Sequence, residues 1–244
     1  MAIIIGDLHG NLNKAQAFLS YQPQQTHVAL GDYVDSFTET PERQKQCLEL
    51  LLKSDVILLW GNHDLHYLSR CPWRCTGYQS RHADLFRRMY DTAKQNNRLL
   101  AAYAVDGYIC THAGIAPQIA EIIPQKVRSS SEKVAEWLND EFDRRIQEPR
   151  PRTVLVNPLR YGVGPLFNIS YLRGGREPYG GIFWFDPFRE RLEPSYSIGK
   201  QLFGHTERGK PEGVPGQWWD LDTTNSTDCW IFDTVENKPV RISP

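Results

Sequence analysis

Three short turns in the first third of the chain carry side chains able to bind metal ions. They are Gly6-Asp7-Leu8-His9-Gly10, Gly31-Asp32-Tyr33-Val34-Asp35 and Gly61-Asn62-His63-Asp64. Two histidine turns follow, Thr111-His112-Ala113-Gly114 and Gly204-His205-Thr206. Asp7, His9, Asp32, Asn62, His112 and His205 together offer hard oxygen and borderline nitrogen donors. That mixture suits Mn, Fe or Zn better than Mg or Ca, which prefer all-oxygen shells. The set exceeds what one ion needs, so it reads as a two-metal hydrolase with Asp32 best placed to bridge. Two cations roughly 3.5–4 Å apart clamp a phosphoryl group and acidify the water between them.

A lone aspartate after a glycine is ordinarily a turn former. Recurrence changes that reading, because each of the five turns directly follows an apolar run. Ala2 to Ile5, His27 to Leu30 and Asp55 to Trp60 read as buried strands. Between them lie an amphipathic helix from Leu12, capped by Asn11 or Asn13, and a helix opened by Thr40-Pro41. Strand, turn and helix three times in succession predict βαβ crossovers and a parallel sheet. Ligands of such sheets bind beyond the carboxyl ends of the strands, where the acidic and histidine turns fall.

Farther on, a helical pattern from Leu65 to about Ala102 predicts a flap, with an irregular loop over 71–80 and a helix over 81–96. Tyr108 to Thr111 is a strand, a helix follows Pro117, and Ser131 is expected to cap a helix reaching Ile146 before Pro149. The stretch 152–179 reads as loop. Gly181 to Trp184, Gln201 to Phe203, Cys229 to Phe232 and Val240 to Ile242 read as short strands of a second sheet. The expected architecture is α/β, a two-sheet βαβ sandwich flanked by helices, forming one domain over 1–244 with the helical flap at about 65–102.

A chain of 244 residues with 40% hydrophobic and 23% charged content can bury a sizeable core. Its formal net charge of −1 gives no pull toward a nucleic-acid polymer or an anionic membrane. No run approaches the roughly 18 apolar residues of a membrane helix. Five scattered cysteines without a visible signal peptide point to free thiols in a reducing cytoplasm. Cys71 and Cys75 have ligand-like spacing but no second pair, and are read as loop or packing residues rather than a zinc site.

The ordered motifs GDLHG, GDYVD, GNHD, THAG and GHT resemble the calcineurin-like metallophosphoesterases, closest to their serine/threonine-protein-phosphatase-type branch. The resemblance implies two divalent metals, Mn first, with Fe or Zn as alternatives. It places Asp7, His9 and Asp32 on one metal and Asp32, Asn62, His112 and His205 on the other. It makes His63 the general acid, oriented by Asp35, and implies attack by a hydroxide bridging the metals on phosphomonoesters. The branch writes GDxVDRG, whereas Ser36-Phe37 follows Asp35 here, so the phosphate-binding arginine is absent. Arg173, in a turn similar to the family's second arginine segment, is the substitute, with Arg176 nearby; Asn62 is also expected near substrate.

The implied partner is a small phosphorylated substrate or a phosphoprotein. GNHDLH and THAGI are similar as well to bacterial symmetrical diadenosine tetraphosphatases, so dinucleoside polyphosphate hydrolysis is the alternative. An inactive metal-binding regulatory protein is the reading from another class, disfavoured because every motif position is filled. Among the other residues, His27 and His82 read as structural and His66 as structural or flap-lining. Asp64 is expected to pair with a local backbone or basic group rather than with metal. Trp218, Trp219 and Trp230 are read as core rather than as a base-stacking platform.

Overall fold

The computed structural model describes residues 1–68, 73–147 and 164–244. Strand β1 (Ala2–Ile5) is buried along its whole length. This explains why it reads as an unbroken apolar run rather than an alternation: both faces are covered. Ala2 and Ile4 pack with Val28, Leu30 and Leu59 against Tyr108, Cys110 and Leu202 of the opposite sheet. Ile3 and Ile5 belong to the larger core, with Phe18, Leu48 and Leu51 from helices α1 (Leu12–Ser20) and α2 (Pro41–Lys53). A fully buried Phe or Leu of this kind contributes about 1.5–3 kcal/mol.

The first sheet runs β11-β10-β1-β2-β3-β4. β2 (Thr26–Ala29), β3 (Ile57–Leu59) and β4 (Leu99–Leu100) extend β1 in parallel. β10 (Cys229–Asp233) and β11 (Lys238–Ile242) close the other side antiparallel. The second sheet runs β5-β6-β7-β9-β8, from β5 (Ala102–Val105), β6 (Tyr108–Thr111), β7 (Lys200–Phe203), β8 (Glu212–Val214) and β9 (Trp218–Asp220). Its central pairs β6–β7 and β7–β9 are parallel. Helix α5 (Pro117–Ile122) and the long α6 (Ser131–Gln147) contribute Ile119, Leu138 and Phe142 to the helix-side core. The architecture is the expected two-sheet α/β sandwich with helices outside.

Several local expectations need correction. β10 and β11 join the first sheet, because Ile3 and Ile4 pair with Asp233 and Phe232 at its open edge. Periodicity cannot say which sheet a strand enters. Gly181 to Trp184 is a turn, not a strand. Its amides bond inward, Trp184 N and Phe185 N to Gly181 O, while Ile182 and Phe183 are buried as core plugs. Ser131 is the first residue of α6, and the cap is Ser130, whose Oγ accepts from Lys133 N at 3.3 Å. By contrast Asn11 and Thr40 cap α1 and α2 through their side chains.

Between Leu65 and Ala102 the described residues hold helix α4 (Ala83–Gln95) and β4, the rest being irregular. Residues 164–179 are irregular apart from two single 3-10 turns. The expectations for Cys71, for Pro149 to Pro151 and for the first part of the 152–179 loop lie outside the described residues. The four described cysteines, Cys47, Cys75, Cys110 and Cys229, are buried and free of disulfides. Among the described residues no helix is long and apolar enough to cross a membrane.

Candidate metal centre and its acid

The turns after β1, β2, β3, β6 and β7 meet at one edge of the sandwich. Such convergence demands close backbone approach. A Cβ on Gly61 would lie 2.1 Å from Asp32 Oδ1, and one on Gly204 would lie 2.1 Å from Asp7 Oδ1, so only glycine fits either position. Four non-glycine site residues take left-handed backbone conformations: His9 (φ 42°), Asp32 (φ 55°), Asp35 (φ 67°) and His205 (φ 75°). Strained backbone of this type is held only where the surroundings over-determine it, as at functional sites.

The clamp is Asp64. Its Oδ2 accepts from Asp32 N at 2.7 Å and from Gly61 N at 2.8 Å, and its Oδ1 from Tyr33 N at 3.0 Å and from the Tyr90 hydroxyl. Asp64 thus staples the second turn to the third; of its backbone partners only Gly61 N is local as expected, Asp32 N and Tyr33 N being distant in sequence. The third turn continues into a single helical turn, α3 (Asn62–Leu65).

Two groups of ligand-type atoms result, Asp7–His9–Asp32 and Asp32–His112–His205, each with its atoms within 4.8 Å of one another. Asp32 belongs to both. His9 Nε2 is 3.9 Å from Asp7 Oδ2 and 3.6 Å from Asp32 Oδ2, and His112 Nε2 is 3.6 Å from Asp32 Oδ2. The backbone sets the tautomers. His9 Nδ1 faces Val34 O at 2.8 Å and His112 Nδ1 faces Leu30 O at 3.0 Å, so each donates there and turns an Nε2 lone pair toward the carboxylates.

The donor set fits cations on an observation of its own. Asn62 Nδ2 donates to Cys75 Sγ at 3.4 Å, which leaves Asn62 Oδ1 facing His112 Nε2 at 2.8 Å and His205 Nδ1 at 3.0 Å. Acceptor faces acceptor between Asn62 and His112, a contact that a positive ion relieves. His205 Nε2 is buried without a hydrogen-bond partner. The fields agree. Burial, then the carboxylates of Asp222 and Asp32, pushes Asp7 well above the usual carboxylate range. Burial and then Asp64 do the same to Asp32. Burial holds His112 down to about 3, and burial with Arg173 keeps His205 well below the usual imidazole range. Buried carboxylates and uncharged imidazoles of this arrangement call for external positive charge.

Beside this cluster stands His63. Its Nδ1 is 3.0 Å from Asp35 Oδ2, its amide donates to Asp32 Oδ1 at 2.9 Å, and its side chain is partly exposed to the cavity. Burial opposes the Asp35 charge, but hydrogen bonds from His63 and His66 outweigh it and hold Asp35 below the usual carboxylate range. The cavity measures about 520 Å³ and is lined by His9, His63, Arg173, His205 and Asp222, among others. Arg173 Nη2 is 2.7 Å from Asp186 Oδ2 and 2.9 Å from Thr206 Oγ1. Asp186 also caps helix α7 (Pro187–Glu190) through Phe188 N and Arg189 N. Arg176 is exposed and does not line this cavity.

Every candidate ligand, with His63, Asp35 and Arg173, therefore comes to one place, and Arg176 does not. Sequence reasoning missed Asp186, Thr206, Asp222 and the role of His66. Asp222 had a legible signal, since it follows the β9 run Trp218-Trp219-Asp220 much as Asp7 follows β1. His66 had one too, three residues past His63 in the same helical phase. His27 is structural as expected, its ring bonded to Gln25 O and Phe18 O.

Known proteins bear on this geometry. The chain is 31% identical over 126 residues to a "Bis(5'-nucleosyl)-tetraphosphatase, symmetrical" of Actinobacillus pleuropneumoniae serotype 5b (strain L20), and 30% identical to that of serotype 3 (strain JL03). Each match takes in 47% of this chain and 45% of the relative, so the chain spans less than half the length of the curated relatives it matches. A solved structure described as a cold-active protein tyrosine phosphatase superposes with a TM-score of 0.59 at 11% identity, covering 98% of this chain and 78% of the other, a likeness of fold. The sequence model for the calcineurin-like phosphoesterases matches residues 2–208, a span containing all five turns, and the chain belongs to that family.

Proposed function

We propose that the protein is a divalent-metal-dependent phosphohydrolase acting on phosphomonoesters. One observation carries this reading: six candidate ligands converge in one cluster whose His9 and His205 line the same cavity as the His63–Asp35 pair. Asp7, His9 and Asp32 would hold one ion, and Asp32, Asn62, His112 and His205 the other, with Mn the first candidate. Bound there, two such ions supply Lewis acidity and an activated water for hydrolysis at phosphorus. Asp35 fixes the His63 ring so that Nε2 can give its proton to the departing ester oxygen. Arg173, braced by Asp186, directs a guanidinium at the phosphoryl oxygens.

The cavity's other walls favour a single phosphoryl group. Among the described residues lining it, Arg173 is the one arginine or lysine, while Asp35, Glu39, Glu207 and Asp222 line it as carboxylates. A row of linked phosphates would run against those charges. The printed name of the curated relatives favours a second reading, dinucleoside polyphosphate hydrolysis. So does Phe37, 83% exposed at the cavity's edge, whose ring could meet a base.

Protein stripped of metal and reloaded with Mn²⁺ tests both. It is expected to turn over p-nitrophenyl phosphate and a phosphopeptide faster than diadenosine tetraphosphate. A large rate on the dinucleotide alone would replace the first reading by the second. No turnover with any divalent metal would overturn both and leave a metal-binding regulatory protein.

A further inference from the structure

Asp35 takes more donors than an orienting carboxylate needs. Besides His63 Nδ1, its Oδ2 lies 2.6 Å from His66 Nε2, and its Oδ1 accepts from the Tyr67 hydroxyl at 2.5 Å. Both extra donors are buried. Each is itself given a direction by an amide of the segment 73–79. Cys75 N donates to His66 Nδ1 at 3.1 Å, and Gln79 N donates to the Tyr67 hydroxyl oxygen at 3.0 Å.

A backbone N–H can only donate, which fixes the protons. His66 Nδ1 must present its lone pair to Cys75 N, so the neutral ring carries its proton on Nε2, the nitrogen 2.6 Å from Asp35 Oδ2. Tyr67 accepts from Gln79 and so points its hydroxyl proton at Asp35. The polarity runs from amide to ring or hydroxyl and on to the Asp35 carboxylate, which His63 Nδ1 meets as a donor from the other side. His63, His66 and Cys75 also have ligand-type atoms within 4.8 Å of one another. The Nδ1 lone pair is already taken by Cys75 N, however, and Nε2 then carries the proton, so the trio is a polar network rather than a further metal site.

We infer that His66 is a positioning residue for the general acid: segment 73–79 sets its tautomer through Cys75 N, and the protonated Nε2 side of the ring, in contact with Asp35, then holds that carboxylate in place behind His63. Tyr67 serves as the second brace. In the step it supports, a hydroxide oxygen bonds to phosphorus as the P–O bond to the leaving group breaks, the His63 Nε2 proton passes to the departing oxygen, and His63 ends neutral with Nδ1–H still donated to Asp35. The inference rests on the phosphohydrolase reading for its rates but not for its proton placement.

The experiment has two arms. In the first, ¹⁵N-histidine NMR of the wild-type protein reads the tautomers directly. His66 is expected with Nε2 protonated and Nδ1 bare; an Nδ1–H ring would overturn the inference whatever the enzyme does. In the second, Mn²⁺-loaded His66→Ala and His66→Gln are compared on a leaving-group pair, an alkyl phosphate and 2,4-dinitrophenyl phosphate. Gln can donate to Asp35 and accept from Cys75 N. His66→Ala is expected to lose roughly tenfold or more in kcat on the alkyl ester, with KM and the dinitrophenyl rate little changed, and His66→Gln to recover most of the loss. Equal losses on both esters, or no loss on either, would overturn the inference. If His66→Ala does not fold, Tyr67→Phe supplies the same comparison, with the same outcomes deciding. Absence of wild-type turnover would strike the functional reading alone and leave the NMR arm to decide the network.

Discussion

Replacing Asp64 by Asn removes one oxygen from the clamp that joins the second turn to the third. In the best orientation the amide oxygen keeps the partners of Oδ2, Asp32 N and Gly61 N, while the new –NH2 donates to the Tyr90 hydroxyl oxygen. That –NH2 then also faces Tyr33 N, a buried donor now left without an acceptor. The loss of a hydrogen bond to a charged group weighs about 1.5–3 kcal/mol. With the retained bonds weakened by the loss of charge the total is about 3 kcal/mol, a large part of the 5–15 kcal/mol typical of folded domains. For a chain of this size that lowers Tm by roughly 6–12 °C. Because the orphaned Tyr33 N directly follows Asp32, which sits at φ 55°, the Asp32 carboxylate also loses its aim. Differential scanning calorimetry of the metal-free protein reads the first effect, and Mn²⁺ titration calorimetry reads the second as weaker binding. A variant melting within 2 °C of wild type and binding Mn²⁺ equally well would refute the clamp.

Three further outcomes follow from the same geometry. His63→Ala is expected to keep its metal content by elemental analysis yet lose about 10²–10⁴-fold in kcat on alkyl phosphates, and much less on nitrophenyl phosphate; equal loss on both would remove His63 as the acid. Arg173→Ala is expected to raise KM roughly ten- to hundredfold, the weight of one charge-assisted pair, with a smaller change in kcat; an unchanged KM in steady-state assays would mean that Arg173 serves only Asp186. Metal removal should depend on pH. Asp7 and Asp32 are raised in the metal-free fold, so the stability their protons contribute is full below the ordinary carboxylate range and fades as pH rises through their folded values. Mn²⁺ must displace those protons, so its gain in Tm should be larger at pH 7.5 than at pH 5.5, with protons released on binding. A gain that shrinks as pH rises, measured by scanning fluorimetry, would contradict this assignment.

The local pattern carried most of the chemistry because each candidate ligand sits within a few residues of a strand end, and strand ends are legible from short apolar runs. Asp7, His9, Asp32, Asn62, His112 and His205 could be named without coordinates for that reason, and so could the caps Asn11 and Thr40. Tertiary structure decided what depends on who meets whom. Sheet membership was one such matter: Cys229 to Phe232 looks like any short strand, and only the open edge of β1 draws it into the first sheet. Another was the fate of Gly181 to Trp184, whose apolar residues plug the core from a turn. The third was the second layer of polar partners, Asp186 behind Arg173 and His66 and Tyr67 behind Asp35. Residues of that layer lie on loops or one-turn helices with no period to read, and their roles are set by backbone amides distant in sequence. A side chain's type is written locally; the partner that orders its proton is supplied by the fold.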